Sequence, residues 1–374
     1  MAESNHYKIA KKRIAYFVSP HGFGHAARSA AVMQAVSEIE PSVRFEIFTT
    51  TPTWFFQDSL SASFSCHDLV TDIGLVQKTA FQADLDETLR SLDDFLPFPA
   101  ALVAKISATV RELNCGLIVC DISPLGIAVA EESGIPSVLV ENFTWDWIYQ
   151  QYGGTDGRFK GHIEYLKPLF EAVDYHIKVE PVCSPGPADL TTSPVSRNSR
   201  TSGAQVRKRL GLSPASKMVL ITTGGIEQSY NFLEKLIKLP EIHFVMPGAG
   251  PQMERRDNLI ILPSHSGFYH PDLVNASDAV IGKVGYSTLA EVYHAGIPFG
   301  YVLRSNFRES APMAAFIEKE MQGIFLEESD FGSGEWLTRL QDLLNLNRVQ
   351  RRVTNGAEQI GNFIRDRILW KLEN

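Results

Sequence analysis

The chain has 374 residues, of which 44% are hydrophobic and 21% charged, and a net charge of −8. At roughly 100–200 residues per domain this predicts two globular domains of ordinary soluble composition. The acidic balance argues against a general nucleic-acid or anionic-membrane surface. The four cysteines (Cys66, Cys115, Cys120 and Cys183) show neither CxxC nor metal-type spacing, which points to reduced thiols rather than a disulfide scaffold or zinc site.

In chain order, a basic stretch precedes "IAYFV", whose five apolar residues before Ser19 are too short for a signal-peptide core. No window reaches the roughly 18 apolar residues of a membrane span. The expectation is a cytoplasmic protein with no transmembrane segment; peripheral membrane contact through a local apolar patch stays open.

The runs 13–18, 44–50, 116–121 and 137–142 read as strands, and 26–39 and 124–134 as the helices between them. Gly134 and Pro136 end the second helix. This β-α-β alternation implies a parallel sheet covered on both faces. The stretch "CSPGPADLTTSPVSRNSRTSGA" (183–204) lacks an apolar period and reads as a linker. The strand pattern then restarts at 217–225, 242–248, 259–263, 278–285 and 298–303. Two α/β domains are therefore expected, at 1–190 and 205–354, with an amphipathic helix over 355–374 packing back on the first.

Three glycine loops follow strands. The first, "SPHGFGHAAR", contains His21, Gly22, Gly24 and His25. It formally matches a dinucleotide fingerprint, but the second strand ends in "FTTTP" without the acidic residue that a ribose requires. It reads either as a tight turn or as the seat of a base. At a helix N-terminus the dipole favours an uncharged imidazole, the form a general base needs. The second loop, "ITTGGIEQ", places Gly224 and Gly225 where free amides could meet phosphate, or serve as a plain turn. The third, "GKVGYSTLAEVYHAGIP", brings Lys283, Gly285, Ser287 and Thr288 to the start of a helix expected from about Leu289 to Ala295. Its Thr288-x-x-Glu291 spacing also fits a capping box that needs no ligand.

These loops, in this order on two α/β halves, resemble the GT-B glycosyltransferases, in particular the group of the bacterial peptidoglycan N-acetylglucosaminyltransferase. The motif basic-x-Gly-x-x-Thr-x-x-Glu followed by Ala-Gly-x-Pro stands here as Lys283 to Glu291, then Ala295 to Pro298. "SPHGFGHAAR" and "ENFTWDWIYQQY" are also similar to the glycosyltransferase-like N-terminal half of L-arabinokinases, and what is expected after them in this sequence is a second GT-B half rather than a sugar-kinase domain. The resemblance implies two Rossmann-like domains facing across a cleft. It also implies an inverting, metal-independent transfer from a nucleoside diphosphate sugar, commonly UDP-linked, to an acceptor hydroxyl not identified, with no further cofactor.

By the same resemblance, Gly224, Gly225, Gly285, Ser287 and Thr288 would meet the diphosphate and Glu291 the ribose. Arg308 and Glu309 stand where relatives touch the donor sugar, in "ESAPMA" rather than the usual Asp-Gln-x-x-Asn-Ala. His25 paired with Asp121 would be the base; Asp121 could instead cap the next helix. His21 is the fallback base, although its position before the glycines favours an acceptor contact or a plain turn residue, with Gly22 and Gly24 beside it. Trp145 and Asp146 would form an acceptor wall or simply pack in a core. Asp84 and Asp86 form a DxD string on a polar helical stretch and read as a solvated face. The rival readings are a UDP-sugar 2-epimerase and a non-catalytic nucleotide- or sugar-binding module.

Overall fold

The computed structural model describes residues 13–153, 157–223 and 230–369. By contact the chain forms two compact units. One comprises Met1–Val76, Asp84–Val195 and Thr354–Asn374, the other Gln77–Ala83 and Ser196–Val353.

In the first unit the strands are β1 (Arg13–Val18), β2 (Arg44–Phe48), β3 (Phe64–His67), β4 (Cys115–Asp121), β5 (Ser137–Glu141), β6 (Tyr175–Val179) and β7 (Leu190–Thr192). They form a seven-stranded sheet in the order β3-β2-β1-β4-β5-β6-β7. Every pairing is parallel. Helices on both faces leave no solvated side, so the middle of β4 (Leu117 to Cys120) is fully buried. Burying each large apolar side chain of this kind stabilises by about 1.5–3 kcal/mol. The strand order reverses between β1 and β4, whose register sets Val18 opposite Asp121. The carboxyl ends of these two strands flank the crevice where open α/β sheets hold ligands.

Three elements of this unit differ from the sequence expectation. The first helix spans Phe23–Ile39, three residues earlier than expected, because Gly22 at φ 69° turns the chain sharply out of β1. Residues 190–192 of the expected linker pair with β6 as an edge strand, too short and polar to show an apolar run. The tail forms a helix at Gly356–Ile364 followed by a wider turn at Arg365–Leu369. A Cβ on Gly361 would touch Ala35, Val36 and Ile39, so the tail lies against the helix Phe23–Ile39. Residues 370–374 lie outside the described residues.

The second unit repeats the plan with β8 (Lys217–Thr222), β9 (Ile242–Pro247), β10 (Glu254–Arg256), β11 (Leu259–Leu262), β12 (Ala279–Lys283), β13 (Phe299–Val302) and β14 (Gly323–Leu326). The order is β10-β11-β9-β8-β12-β13-β14, with only β10 antiparallel to its neighbour. Its core gathers Val219, Ile221, Phe244, Ile281, Phe331 and Trp336. Phe81, from the excursion between β3 and the helix Leu85–Phe95, joins it with its ring 6.0 Å from that of Phe331.

Candidate functional site

At the β1–β4 crevice, the helix Phe23–Ile39 turns His25, Arg28 and Ser29 onto one face, as i, i+3 and i+4 spacing requires. All three reach Asp121, which is wholly buried at the end of β4. His25 Nδ1 lies 2.8 Å from Asp121 Oδ1. Arg28 donates from Nε to Oδ2 at 2.8 Å and from Nη2 to Oδ1 at 2.6 Å, and Ser29 Oγ donates to Oδ2 at 3.1 Å. A further Arg28 bond, Nη1 to Asn142 Oδ1 at 2.6 Å, anchors the guanidinium beyond the end of β5. Burial acts to raise the Asp121 pKa. The charge and hydrogen bonds of Arg28, with those of His25, outweigh it and hold the carboxyl below its ordinary value.

An ionised Asp121 can only accept, so the proton of the 2.8 Å contact is assigned to His25 Nδ1. Arg28 Nη2, 3.2 Å from Nδ1, is then a close approach between two donors. The other ring nitrogen, Nε2, has no hydrogen-bond partner among the described residues, and the side chain keeps 10% of its surface exposed. A proton acceptor is thus held in one tautomer and one orientation by a buried carboxylate. That arrangement can take a proton from a bound hydroxyl.

The loop after β3 closes over this corner. Thr71 Oγ1 donates to the Val18 carbonyl at 2.8 Å, Ser123 Oγ to the Thr71 carbonyl at 3.2 Å and Tyr149 Oη to the Gly74 carbonyl at 2.9 Å. Gly74, at φ 64°, is pressed so close that an added Cβ would stand 2.8 Å from His21 Nδ1 and 3.0 Å from the Trp145 ring. His21 is half-buried and lies edge-on to Trp145 at 5.4 Å. Trp145 is 1% exposed and stacks on Tyr149 at 6.0 Å, so here it packs beneath both histidines rather than offering a ring face. Asp146 is buried, and burial raises its pKa. Gly22 is exposed and Gly24 half-buried in the first helical turn.

In the second unit, β12 ends in Lys283 and a ten-residue helix starts at Tyr286 with Gly285 as its N-cap. The capping box expected of Thr288 and Glu291 is not formed. The helix begins before Thr288, which sits inside the first turn, and no side chain caps the start. Ser287 is half-buried and Thr288 buried on that turn. Lys283 is 8% exposed, and its ammonium has no hydrogen bond or ion pair among the described residues. Burial, helped by the nearby Arg304 cation and opposed by Glu309, brings its pKa down to about 7. Arg304 pairs with Glu309 at 2.5 Å and lies 3.4 Å from the Phe307 ring centroid. Arg308 is half-buried just before Glu309. Gly224 and Gly225 lie outside the described residues.

Glu291 is buried, and both its oxygens are engaged: Oε1 by Arg197 (2.9 and 3.1 Å) and Oε2 by His270 Nδ1 (2.6 Å). Burial acts to raise its pKa, but Arg197 and His270 hold it below its ordinary value. Arg197 sits two residues past the unit boundary and also stacks on Tyr269 at 5.1 Å. Asp84 caps the helix Leu85–Phe95, and Asp86 pairs with Arg158 on the surface. Among the described residues no group of three or more His, Cys, Asp or Glu is arranged to hold a metal, and no helix is long and apolar enough to cross a membrane.

Sequence reasoning missed Arg28, Ser29, Asn142, Asp72, Arg304, Arg197 and His270. The helical spacing from His25 would have found Arg28 and Ser29. Asn142 directly follows a strand, a position that open α/β sheets use for ligands. The others carry no local signal.

No family model matches the chain. It is 28% identical over 361 residues to L-arabinokinase of Arabidopsis thaliana; the match covers 94% of this chain and 34% of that protein, so the chain spans about a third of its relative. Among solved structures, the glycotransferase of kitacinnamycin superposes with a TM-score of 0.61 at 14% identity, over 95% of this chain and 94% of the other. Medicago truncatula UGT71G1, complexed with UDP-glucose, gives 0.56 at 12% identity, over 96% and 95%. The chain therefore has the fold of the GT-B glycosyltransferases, two Rossmann-like domains in one polypeptide.

Proposed function

We propose that the protein is an enzyme of sugar metabolism that transfers a glycosyl group from a nucleoside diphosphate sugar, UDP-linked by preference, to an acceptor hydroxyl with inversion and without a metal. The observation that carries this reading is His25, held by Asp121 at 2.8 Å with Nε2 left as an acceptor, at the strand-end crevice of a parallel sheet. Lys283 and the uncapped helix start at Tyr286 supply the complementary feature, a corner suited to a diphosphate.

In this reading the acceptor hydroxyl gives its proton to His25 Nε2 as its oxygen bonds to the anomeric carbon. The bond from that carbon to the diphosphate oxygen breaks, and the electron pair leaves with the diphosphate. Asp121 stabilises the imidazolium through Nδ1–H, and Arg28 keeps Asp121 ionised and oriented. Lys283 and the amides of Gly285, Ser287 and Thr288 offset the charge on the leaving group. Gly224, Gly225, Arg308 and Glu309 remain candidate donor contacts, and His21, Gly22 and Gly24 candidate acceptor-side residues; Trp145, packed beneath the histidines, and the buried Asp146 would act on that side only by shaping it.

One observation favours a second reading. Where relatives carry Asp-Gln-x-x-Asn-Ala at the donor sugar this chain has "ESAPMA", and its one acidic residue, Glu309, is buried against Arg304, which suits a module that binds a nucleotide or sugar without turnover. Calorimetry with UDP, GDP and ADP, followed by assay of free diphosphate release from UDP-sugars, separates the two. Binding with release supports transfer; binding without release under every acceptor supports the module; no nucleotide binding removes both.

A further inference from the structure

Beneath the His25 corner lies a carboxyl that the mechanism above does not use. Asp72, on the loop after β3, is 3% exposed and has no cation beside it, because Arg28 is committed to Asp121 and Asn142. One oxygen, Oδ1, accepts from Ser19 Oγ at 3.0 Å. The other, Oδ2, has no partner, and neither has the buried indole N–H of Trp145. That N–H nevertheless lies close enough to favour negative charge on Asp72. Ser19 Oγ in turn accepts the His21 backbone N–H at 3.4 Å, and the Ser19 N–H meets the Asp121 carbonyl at 3.4 Å.

The loop that carries Asp72 is pinned on both sides, by Thr71 to β1 and by Gly74 to Tyr149. A buried carboxyl with no counter-charge resists ionisation, and a loop held this firmly cannot swing it out to solvent. We propose that Asp72 is a positioning residue for His25: through Ser19 it fixes the turn Ser19–Gly22 from which the His25 helix starts, with Trp145 closing its other side. The role rests on the transfer reading above, but its placement does not.

Burial pushes the Asp72 carboxyl up to about 7; the contacts from Ser19 and Trp145 oppose the rise and the Asp121 charge adds to it. The groups facing it are Ser19 at the end of β1, Asp121 at the end of β4, and Trp145 and Tyr149 on the helix after β5. None is a free cation. As the neutral acid Asp72 can sit in this pocket without a counter-ion; as the anion it repels Asp121.

The test uses the full chain and two readouts. The first needs no substrate: the indole N–H resonance of Trp145 followed from pH 5 to 9. We expect it to move with a midpoint near 7 in the wild type and to stay still in Asp72→Asn. A signal that does not move in the wild type, or moves alike in both, overturns the proposal. The second is glycosyl transfer from whichever UDP-sugar the wild type turns over. We expect Asp72→Ala and Ser19→Ala each to lower kcat at least tenfold with an unchanged KM for the donor, and Asp72→Asn, the isostere of the neutral acid, to restore most of it. Wild-type kcat in both Asp72→Ala and Ser19→Ala overturns it. If Asp72→Ala does not fold, Ser19→Ala, which removes only a hydroxyl, decides. If the resonance titrates and no donor is turned over, the transfer reading fails and the placement of Asp72 stands.

Discussion

Arg28 and Asp121 form a two-point pair: Nε and Nη2 of the guanidinium meet Oδ2 and Oδ1 of the carboxylate at 2.8 and 2.6 Å, with the two side chains 1% and 0% exposed. Two parallel bonds fix the plane of the carboxylate as well as its distance, and that plane orients the His25 ring. The arginine thus sets the carboxylate, and the carboxylate sets the imidazole.

Removing Arg28 leaves a buried carboxylate with only His25 and Ser29 to answer it. Arg28→Ala should destabilise the protein by about 3–5 kcal/mol, the range for breaking a buried pair from one side. Arg28→Lys should also destabilise, since an ammonium cannot reproduce the fork. Urea unfolding at pH 7 measures both. The sign with pH follows from the lowered Asp121 pKa: the pair's contribution is present above the ordinary carboxylate range and is lost as pH falls through the folded-state value. The wild-type advantage over Arg28→Ala should shrink on acidification.

Lys283 gives a second pH signature. Its amine, brought down to about 7, is half neutral in the free protein near that pH, and a bound diphosphate favours the protonated form. Nucleotide affinity should fall as pH rises from 6 to 9, approaching about tenfold per pH unit above 7, because binding must take up a proton. Lys283→Gln should bind more weakly at pH 6 and lose most of this dependence. Calorimetry with UDP in buffers of different ionisation enthalpy checks the proton uptake directly.

Two glycines three residues apart should respond oppositely to alanine. A Cβ on Gly282 would stand 1.8 Å from the Thr222 carbonyl oxygen, so Gly282→Ala must break the β12–β8 pairing and lower the melting temperature. Gly285 has φ −136° and open space where a Cβ would go. Gly285→Ala should leave stability within about 0.5 kcal/mol, as for substitutions away from strained or packed sites. If that open space is where phosphate approaches, the same variant weakens UDP binding. Unchanged binding in Gly285→Ala would remove the corner as the phosphate site.

Glu291 can be sorted by its behaviour without ligand. A carboxylate that only meets a ribose can be neutralised without harm to the free protein. One that holds Arg197 and His270 in a buried cluster cannot. Glu291→Gln should lower the melting temperature of the nucleotide-free protein, because Arg197, 8% exposed in its side chain, loses its counter-charge. Differential scanning calorimetry with and without UDP reads the structural and binding parts separately.

Much of the architecture was legible because buried parallel strands are continuous apolar runs. "RIAYFV", "GLIVCD" and "SVLVE" could hardly be anything else, and Gly134 at φ 67° ends its helix where a glycine followed by a proline predicts. His25 stood out in a glycine turn at a strand end, and its pairing with Asp121 came from the family resemblance; the structure sets the two side chains 2.8 Å apart. What escaped was long-range. Asp72 lies 53 residues from Ser19 in a loop without periodicity, and Arg197 lies 94 residues from Glu291; only the fold brings each pair together. The Thr288–Glu291 spacing misled for a local reason: a capping box fits any helix start, and here Gly285 takes the N-cap because β12 ends two residues before it.

The most direct test compares His25→Ala with the wild type under matched conditions. UDP affinity by calorimetry and diphosphate release from a panel of UDP-sugars are measured on the same preparations. The account predicts equal UDP affinity and release lowered by about 10²–10⁴-fold, the usual contribution of a general base. Release from His25→Ala at the wild-type rate would contradict it.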